Sequence, residues 1–190
     1  MKRTLILISV AALIVLSFLT GFVAGRKSPV PLSPDTYGDF EAEVTRTRDG
    51  DTAIISVNGE EEAVRYLGVN TPEIMHPGKN EEECFGKIAA EKNKKLVLGK
   101  NLRFERDKKN RDHRGRLLRY VWDGNKMINL ELVKEGYAFT EHVSPNYKYR
   151  KILEEAALEA ERMKKGIWGT CPDLVKFHKK DRKKSKNQLK

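Results

Sequence analysis

Four short segments of the chain carry polar residues of the types that hydrolysis of a phosphodiester bond would need. They are residues 49–52 (DGDT), 64–73 (VRYLGVNTPE), 76–77 (HP) and 112–116 (DHRGR). That reaction needs a cation to neutralise developing negative charge and a base to orient or deprotonate water. Each segment alone has an ordinary structural interpretation, because an Asp-Gly-Asp sequence is usually only a turn. The combination indicates a catalytic site.

The second segment, together with the first, contains a set of hard oxygen ligands. A carboxylate, an amide and a backbone carbonyl are the groups that bind a hard divalent cation, and Asp51, Asn70 and the carbonyl of Thr71 supply one of each. Glu73 is close enough in sequence to face the same ion through a water molecule. These residues predict a metal site with a neighbouring general base.

Two arginines are candidates for binding the phosphate. Arg65 and Arg116 can each contact two phosphate oxygens at once, which lysine cannot match. Either arginine alone could be a surface cation with no catalytic role. Only the combination of the four segments favours phosphate binding.

The periodicity predicts a barrel that would position these segments. Alternation and β-branched residues predict strands over residues 42–48, 53–57, 62–69, 102–106 and 117–122, with turns at Asp49-Gly50-Asp51 and Asn58-Gly59. Helices are predicted over residues 84–98 and 149–165, with a short one capped by Asn129. The last helix carries a stripe of Ile152, Ala156, Ala160 and Met163. Five strands with helices on the side indicate a small barrel in an α+β fold.

The two ends of the chain differ from this central part. Residues 1–25 have two early cations, Lys2 and Arg3, before an apolar run, which predicts an uncleaved membrane anchor or a cleaved signal peptide. Residues 26–39 are rich in proline and serine and read as a linker, and residues 40–172 as the folded domain. Residues 173–190 are predicted to be a basic, disordered tail. The folded part would then lie outside the cytoplasm, membrane-anchored or secreted.

Composition narrows the partners without choosing one. The 190 residues carry a formal net charge of +10, which favours nucleic acid, acidic polysaccharide or anionic lipid. Cys84 and Cys171 are the two cysteines of the chain, and both fall in the part predicted to be exported, where disulfides persist. One bridge or two buried thiols fit this count, and no Cys-x-x-Cys sequence suggests zinc or redox chemistry.

The order and spacing of these motifs resemble the thermonuclease (staphylococcal nuclease-like) family. The resemblance rests on DGDT, on Arg65 followed by Asn70-Thr71-Pro72-Glu73, on Asp112 followed by Gly115-Arg116, and on Gly166-Ile167-Trp168. It covers about residues 44–168. It implies an OB-fold five-stranded β-barrel with three α-helices, here preceded by an N-terminal hydrophobic helix.

The same resemblance implies the chemistry and the roles of the residues. It implies Ca²⁺ bound by Asp51, Asn70 and Thr71, and catalysis by Arg65, Glu73 and Arg116. The expected substrates are DNA and RNA, with 3′-phosphorylated products and 5′-hydroxyl ends. In such a fold the chain end returns toward the first helix, so a Cys84–Cys171 disulfide is expected. The membrane is a further partner if the leader stays uncleaved, and a monomer is the default expectation.

Two departures from the family pattern affect these expectations. Position 70 is Asn where the family's prototype has Asp, so one negative charge is missing and weaker calcium binding, without loss of activity, is expected. The prototype's pair of nucleotide-stacking tyrosines has no clear equivalent in residues 139–145, where His142 could stack or be an exposed loop histidine. His76 is expected to shape its loop.

Two other functions remain as alternatives. A non-catalytic OB-fold module that binds nucleic acid would explain the basic charge, but it predicts erosion of Asp51, Arg65, Glu73 and Arg116, all of which are present. A surface-tethered polysaccharide-binding domain would explain the charge and the anchor but not the four polar segments.

Overall fold

The computed structural model of the protein describes residues 38–74 and 82–188, with side-chain environments up to residue 180. The predicted N-terminal hydrophobic helix, most of the predicted linker and the His76-Pro77 segment lie outside the described residues. Within the described ranges, no helix is long and apolar enough to cross a membrane.

The described chain contains eight strands and five helices. In chain order they are β1 (Phe40–Thr47), β2 (Thr52–Val57), β3 (Glu60–Tyr66), β4 (Val69–Asn70), α1 (Gly86–Val97), β5 (Asn101–Arg111), β6 (Leu117–Asp123), β7 (Lys126–Met127), α2 (Ile128–Lys134), β8 (Phe139–Thr140), α3 (Arg150–Arg162), α4 (Ile167–Thr170) and α5 (Pro172–Gln188).

Five of the strands close into a barrel. The main sheet has the order β3-β2-β1-β5-β6-β7, and a parallel pairing of β3 with β6 joins its two sides. The pairing runs from Val64 opposite Leu117 to Tyr66 opposite Arg119. This confirms the expected OB-fold five-stranded barrel, because β1, β2, β3, β5 and β6 leave no open edge between them.

The barrel interior is filled by the inward-facing residues of these strands. Val44, Ile55, Val64, Phe104 and Val121 are fully buried and belong to a single core cluster. Each comes from a different strand of the barrel, as the alternation of apolar residues along the strands predicts. The helices α2 and α3 add Leu132 and Leu153 to the same cluster and close one side of the barrel.

Strand β5 extends further than the sequence indicated. The predicted strand covers residues 102–106, whereas β5 begins at Asn101 and continues to Arg111. Its register with β6 shifts between Arg106 and Arg111. Charged side chains are tolerated in this stretch because they lie partly exposed at the end of the strand, where composition does not distinguish strand from loop.

Asn129 does not cap α2 as predicted. The residue before the helix is Met127, which makes no side-chain cap hydrogen bond. Asn129 is instead fully buried. Its Oδ1 accepts from the backbone N–H of Val121 at 2.8 Å, and its Nδ2 donates to the carbonyl of Leu67 at 2.8 Å. The side chain therefore links α2 to the barrel, a contact that a local capping pattern cannot predict.

The C-terminal segment is helical where disorder was predicted. Helix α5 covers Pro172–Gln188, whereas residues 173–190 were expected to be a disordered tail. The charge content of the segment suggested disorder, but Leu174 and Val175 at its start pack on a small core around Phe139 and Ile167. Tertiary contacts therefore support a helix whose composition alone does not favour folding.

Candidate functional site

The Asp49-Gly50-Asp51 turn between β1 and β2 is held from inside the molecule. The backbone N–H of Asp51 donates to Asp49 Oδ1 at 3.0 Å. The buried Asn93 of α1 donates from Nδ2 to the Asp49 carbonyl at 2.8 Å, and its Oδ1 accepts from the Tyr66 hydroxyl at 3.0 Å. A helix and a strand thus fix the turn that presents Asp51, which identifies it as more than a flexible hairpin.

Gly50 allows this turn to pack tightly on the Thr71 segment. A Cβ added at Gly50 would lie 2.7 Å from both Thr71 Cγ2 and Thr71 Oγ1. Real Cβ atoms do not approach other atoms so closely, so the position requires glycine. The close approach brings the first two polar segments of the sequence together, as the candidate site requires.

The carboxylate of Asp51 lies at the centre of the site. The residue is 4% exposed. Oδ2 accepts from the backbone N–H of Thr71 at 2.8 Å and from the Thr71 hydroxyl at 3.2 Å, while Oδ1 accepts from the Thr52 hydroxyl at 3.2 Å. The Arg65 guanidinium also forms an ion pair with Oδ1. The charge on this carboxylate is therefore stabilised by four donors.

Arg65 gathers oxygen atoms from three parts of the chain. Its Nη1 contacts Asp51, and its Nη2 donates to Asn70 Oδ1 at 2.8 Å and to Glu141 Oε2 at 3.0 Å. The carboxylate of Asp51 and the amide oxygen of Asn70 thus converge on one cationic group. Burial lowers the pKa of Arg65, and the nearby charges of Glu141 and Asp49 oppose that shift.

Arg116 lies close enough to Arg65 to affect its charge. The positive charge of Arg116 contributes to the lowered pKa of Arg65. Arg116 Nε donates to Asp112 Oδ2 at 2.7 Å, and the backbone N–H of Arg116 donates to Asp112 Oδ1 at 2.9 Å. Arg116 comes directly before β6, whose Leu118 lies opposite Arg65 in the parallel pairing with β3, and this pairing accounts for the proximity of the two arginines.

Asp112 orients Arg116. Burial, the largest effect, would raise the pKa of Asp112, but the hydrogen bonds from Arg116, with a further one from the Arg114 backbone, lower it overall. Asp112 is therefore a carboxylate that accepts from the Arg116 side chain across a short turn. Asp112 belongs to the fourth polar segment, but its residue type and spacing indicated no role for it.

Glu73 is positioned through its backbone. Its N–H donates to Glu83 Oε2 at 3.0 Å, and its carbonyl accepts from the N–H of Glu83 at 3.0 Å. The start of α1 packs against the same carbonyl, because a Cβ added at Gly86 would lie 2.4 Å from it. Glu73 itself is partly exposed. Residues 75–81, which include His76, lie outside the described residues.

Cys84 and Cys171 form a disulfide directly beside these contacts. The Cα atoms are 5.9 Å apart, and 87 residues separate the two cysteines. Cys84 follows Glu83, which holds the Glu73 backbone, and Cys171 precedes α5. The bridge therefore connects the segment next to Glu73 with the C-terminal helix.

Two residues near the site have partners that the sequence did not indicate. Glu141 reaches Arg65 because β8 pairs with β4, with Asn70 opposite Phe139. Such a pairing of two-residue strands has no periodic signal. His142, which could stack on a nucleotide or be an exposed loop residue, is only 24% exposed, and its Nε2 lies 2.8 Å from Glu154 Oε1.

The donor chemistry fits a hard cation better than zinc. In residues 38–74 and 82–188, no group of three or more His, Cys, Asp and Glu side chains could hold a metal ion. The predicted set is of a different kind, with one carboxylate, one amide and one backbone carbonyl, all oxygen. Asp51 and Asn70 already share a single cationic partner in Arg65. This arrangement fits a divalent cation with oxygen ligands.

Most of the chain is similar to known nucleases. A family model described as Staphylococcal nuclease homologue matches residues 63–170. The chain is 38% identical over 163 residues to Thermonuclease of Staphylococcus hyicus, covering 86% of this chain and 95% of that protein. It is 38% identical over 165 residues to Thermonuclease of Staphylococcus intermedius, with the same shares covered. It is 37% identical over 145 residues to Endonuclease YncB of Bacillus subtilis (strain 168), covering 75% and 68%.

Proposed function

This chain belongs to the staphylococcal nuclease homologue family and is a nuclease, and we propose that it uses Ca²⁺ to hydrolyse DNA and RNA. The proposed products carry a 3′-phosphate and a 5′-hydroxyl. The observation that carries the proposal is the convergence of Asp51, Asn70 and Arg65 at one point, with the charge of Arg116 close by.

In the proposed site, Asp51 Oδ1, Asn70 Oδ1 and the Thr71 carbonyl would hold the calcium ion. When bound, the ion would supply charge neutralisation for the phosphate in the transition state. Asp51 and Asn70 would then exchange their contacts with Arg65 for the metal. This exchange would release the Arg65 guanidinium to bind a phosphate oxygen. In the present structure the same guanidinium binds the protein oxygens of Asp51 and Asn70.

The reaction follows from the remaining side chains. Glu73 accepts a proton from a water molecule, whose oxygen attacks phosphorus and forms the new P–O bond. The bond from phosphorus to the 5′ oxygen breaks, and that oxygen leaves and takes up a proton. Arg65 and Arg116 bind the phosphate oxygens while the negative charge develops, and Asp112 keeps Arg116 oriented.

Nuclease assays of variants test these roles. The purified full-length chain should degrade single-stranded DNA and RNA with calcium and stop on addition of a chelator. Glu73→Gln should lower kcat by about 10²–10⁴-fold, as for loss of a general base. Arg116→Ala should lower it by about 10²–10³-fold, as for loss of a transition-state hydrogen-bond donor.

Matched substitutions far from the site serve as controls. Glu155→Gln and Arg162→Ala change exposed residues of α3 and should retain wild-type turnover. Full activity of both Glu73→Gln and Arg116→Ala would mean that the catalytic residues are assigned wrongly. Undiminished cleavage in chelator would reject the role of calcium, and 5′-phosphorylated products would reject the proposed bond cleavage.

We also propose that the folded domain works outside the cytoplasm. The disulfide between Cys84 and Cys171 supports this location, because disulfides persist in oxidising compartments. The apolar run within residues 1–25 would be the anchor or signal that delivers it. The mass of the mature protein recovered from cells distinguishes a retained leader from a cleaved one, and recovery of reduced protein from the cytosol would contradict the export.

A further inference from the structure

The C-terminal helix α5 packs against the back of the proposed site. The ring of His178 stacks on Phe139 with centroids 4.0 Å apart, and the indole of Trp168 meets the same ring edge-on at 5.2 Å. Phe139 lies opposite Asn70 in the pairing of β4 with β8. Helix α5 is thus separated by one aromatic residue from a proposed metal ligand, and the disulfide at Cys171 anchors its start.

The segment that forms this helix is strongly basic. Residues 172–190 contain eight Lys and Arg and two Asp, a net +6 of the +10 carried by the whole chain. Lys176 and Lys180 are exposed, and neither has a carboxylate partner within the part of the chain that the structure describes. Lys179 pairs with Glu161 of α3. Of the three lysines of α5 whose side chains the structure describes, two are therefore not used to bind the rest of the domain.

An exposed aromatic side chain lies among these lysines. Phe177 is 63% exposed, although apolar packing would favour burying it. At helical spacing, positions 176, 177 and 180 share one side of α5. Beside them is a groove of about 550 Å³, lined by Trp168, Pro172, Val175, Lys176, Lys179 and Lys180. The surface combines positive charge with aromatic rings.

A single nucleic-acid strand matches this surface better than other anionic partners do. Lysines pair with backbone phosphates, and unpaired bases stack on exposed aromatic rings, which together characterise single-strand binding surfaces. We propose that Lys176, Phe177 and Lys180 of α5 bind single-stranded nucleic acid outside the catalytic site. The inference rests on the proposed function, because the strand is a longer stretch of the same substrate.

Binding measurements without catalysis test the surface directly. The full-length chain, purified in a mild detergent, is titrated into a fluorescent 30-nucleotide single strand in the presence of chelator. Lys176→Gln/Lys180→Gln should raise Kd about five-fold at low salt. It should also reduce the slope of log K against log salt by about 1.4, because each lost phosphate contact removes about 0.7.

The aromatic contact has a different signature. Phe177→Ala should raise Kd for the single strand about five-fold, as for the loss of one stacked base. It should leave the salt slope close to the wild-type value, because no phosphate contact is removed. Its effect on a duplex of the same length should be smaller, since paired bases are not available for stacking.

Two matched controls distinguish a specific surface from general charge and hydrophobicity. Lys95→Gln/Lys151→Gln removes the same number of charges from exposed positions of α1 and α3. Leu158→Ala removes an apolar side chain that is equally exposed, at 63%. Binding by both control variants should equal that of the wild type, and Lys176→Arg/Lys180→Arg should restore the salt slope.

Four outcomes would overturn the proposal. The first is an equal loss of affinity in the α5 variants and their controls, and the second is wild-type affinity in all α5 variants. The third is that the α5 substitutions change cleavage of a trinucleotide as much as they change cleavage of the 30-mer. The fourth is that the α5 variants lose binding to phosphatidylserine vesicles while their oligonucleotide binding stays intact. The last result would assign α5 to a membrane surface. Calcium-dependent cleavage of the trinucleotide by wild type tests the proposed function separately, because α5 binding is measured in chelator.

Discussion

At the residue scale, Arg65 shows why a side chain identified from sequence can have unexpected partners. Its spacing from Asn70 and Glu73 indicated a phosphate ligand. In the fold its guanidinium contacts Asp51, Asn70 and Glu141, the last of which lies 76 residues away. Two of these three groups, Asp51 and Asn70, are also the proposed ligands of the metal ion. Arg65 thus connects three parts of the site, and in the proposed mechanism it would also bind the substrate phosphate.

Glu105 is a second residue whose environment determines its charge. It is 3% exposed on β5. The Tyr149 hydroxyl donates to Oε1 at 3.0 Å, Arg103 Nη1 donates to Oε2 at 3.3 Å, and Lys148 forms an ion pair with it. Burial, the largest effect, would raise the pKa of Glu105, but the hydrogen bonds from Lys148, Tyr149 and Arg103 together lower it.

This lowered pKa predicts how stability depends on pH. A carboxylate with a lower pKa in the folded state stabilises the protein above its unfolded pKa of about 4.3 and loses that contribution as the pH falls through the folded value. Glu105→Gln should reduce the free energy of unfolding by about 2 kcal/mol at pH 7. The difference from wild type should shrink at pH 3. Urea unfolding at both pH values measures it.

The exposed Glu155→Gln is the reference for that comparison, because Glu155 lies on the surface of α3. Its stability should follow the wild type at both pH values. A difference in free energy of unfolding between Glu105→Gln and the wild type that stayed constant from pH 7 to pH 3 would show that the negative charge of Glu105 does not contribute to stability.

At the element scale, the phase of α3 was the least accurate prediction. The predicted stripe included Ile152 and Met163, which are 39% and 52% exposed. The buried side is formed by Leu153, Ala157 and Ala160. Both stripes have helical spacing, and sequence periodicity cannot choose between adjacent stripes when apolar residues occur on each. Contact with the barrel determines which side of α3 is buried, because Leu153 packs on the turn at Gly68.

Gly68 and Gly124 provide a test of that contact. Both have positive φ, of 78° and 57°, so alanine is strained at either position. A Cβ at Gly68 would lie 2.4 Å from Leu153 Cδ1, whereas nothing lies within 4 Å at Gly124. Gly124→Ala should cost about 1–2 kcal/mol from backbone strain alone. Gly68→Ala should cost about 1–3 kcal/mol more from overpacking.

Chemical denaturation of both variants, alone and with Leu153→Ala, separates the two effects. In the Leu153→Ala background the clash is absent, so Gly68→Ala should cost no more than Gly124→Ala does. An unchanged penalty for Gly68→Ala in that background would mean that α3 does not determine the requirement for glycine.

At the scale of the whole molecule, one covalent link joins distant parts of the chain. The Cys84–Cys171 bridge connects the segment beside Glu73 to the start of α5. The closed loop contains almost the entire second half of the barrel and helices α1 to α4. Its main effect on stability should come from restricting the unfolded chain.

Replacing both cysteines should therefore have a large effect. With a sequence separation of 87 between the two cysteines, Cys84→Ala/Cys171→Ala should lower the free energy of unfolding by about 4 kcal/mol in the chain-entropy view. Guanidinium unfolding with and without reductant measures the change. Reductant should destabilise the wild type by a similar amount and leave the variant unaffected, and a loss below about 1 kcal/mol would contradict the model.

The sequence by itself determined the features that are local in the chain. The five barrel strands, the turn at Asp49-Gly50-Asp51 and the helix that follows the cysteine at position 84 all have signals within a few residues. The polar residues expected at the site were recognisable by type and spacing, and the structure brings Asp51, Arg65, Asn70 and Thr71 into contact. Such features follow from side-chain periodicity and turn chemistry, which need no distant partner.

The tertiary structure alone decided which distant groups meet. Pairing of β4 with β8 places Glu141 beside Arg65. The buried Asn129 donates to the Leu67 carbonyl instead of capping α2. Helix α5 packs on the aromatic pair Phe139 and Trp168, which supports its folding. These outcomes depend on burial and hydrogen-bond satisfaction between segments far apart in sequence. A local sequence pattern does not indicate which distant residues will be in contact, because those residues come together only when the barrel closes.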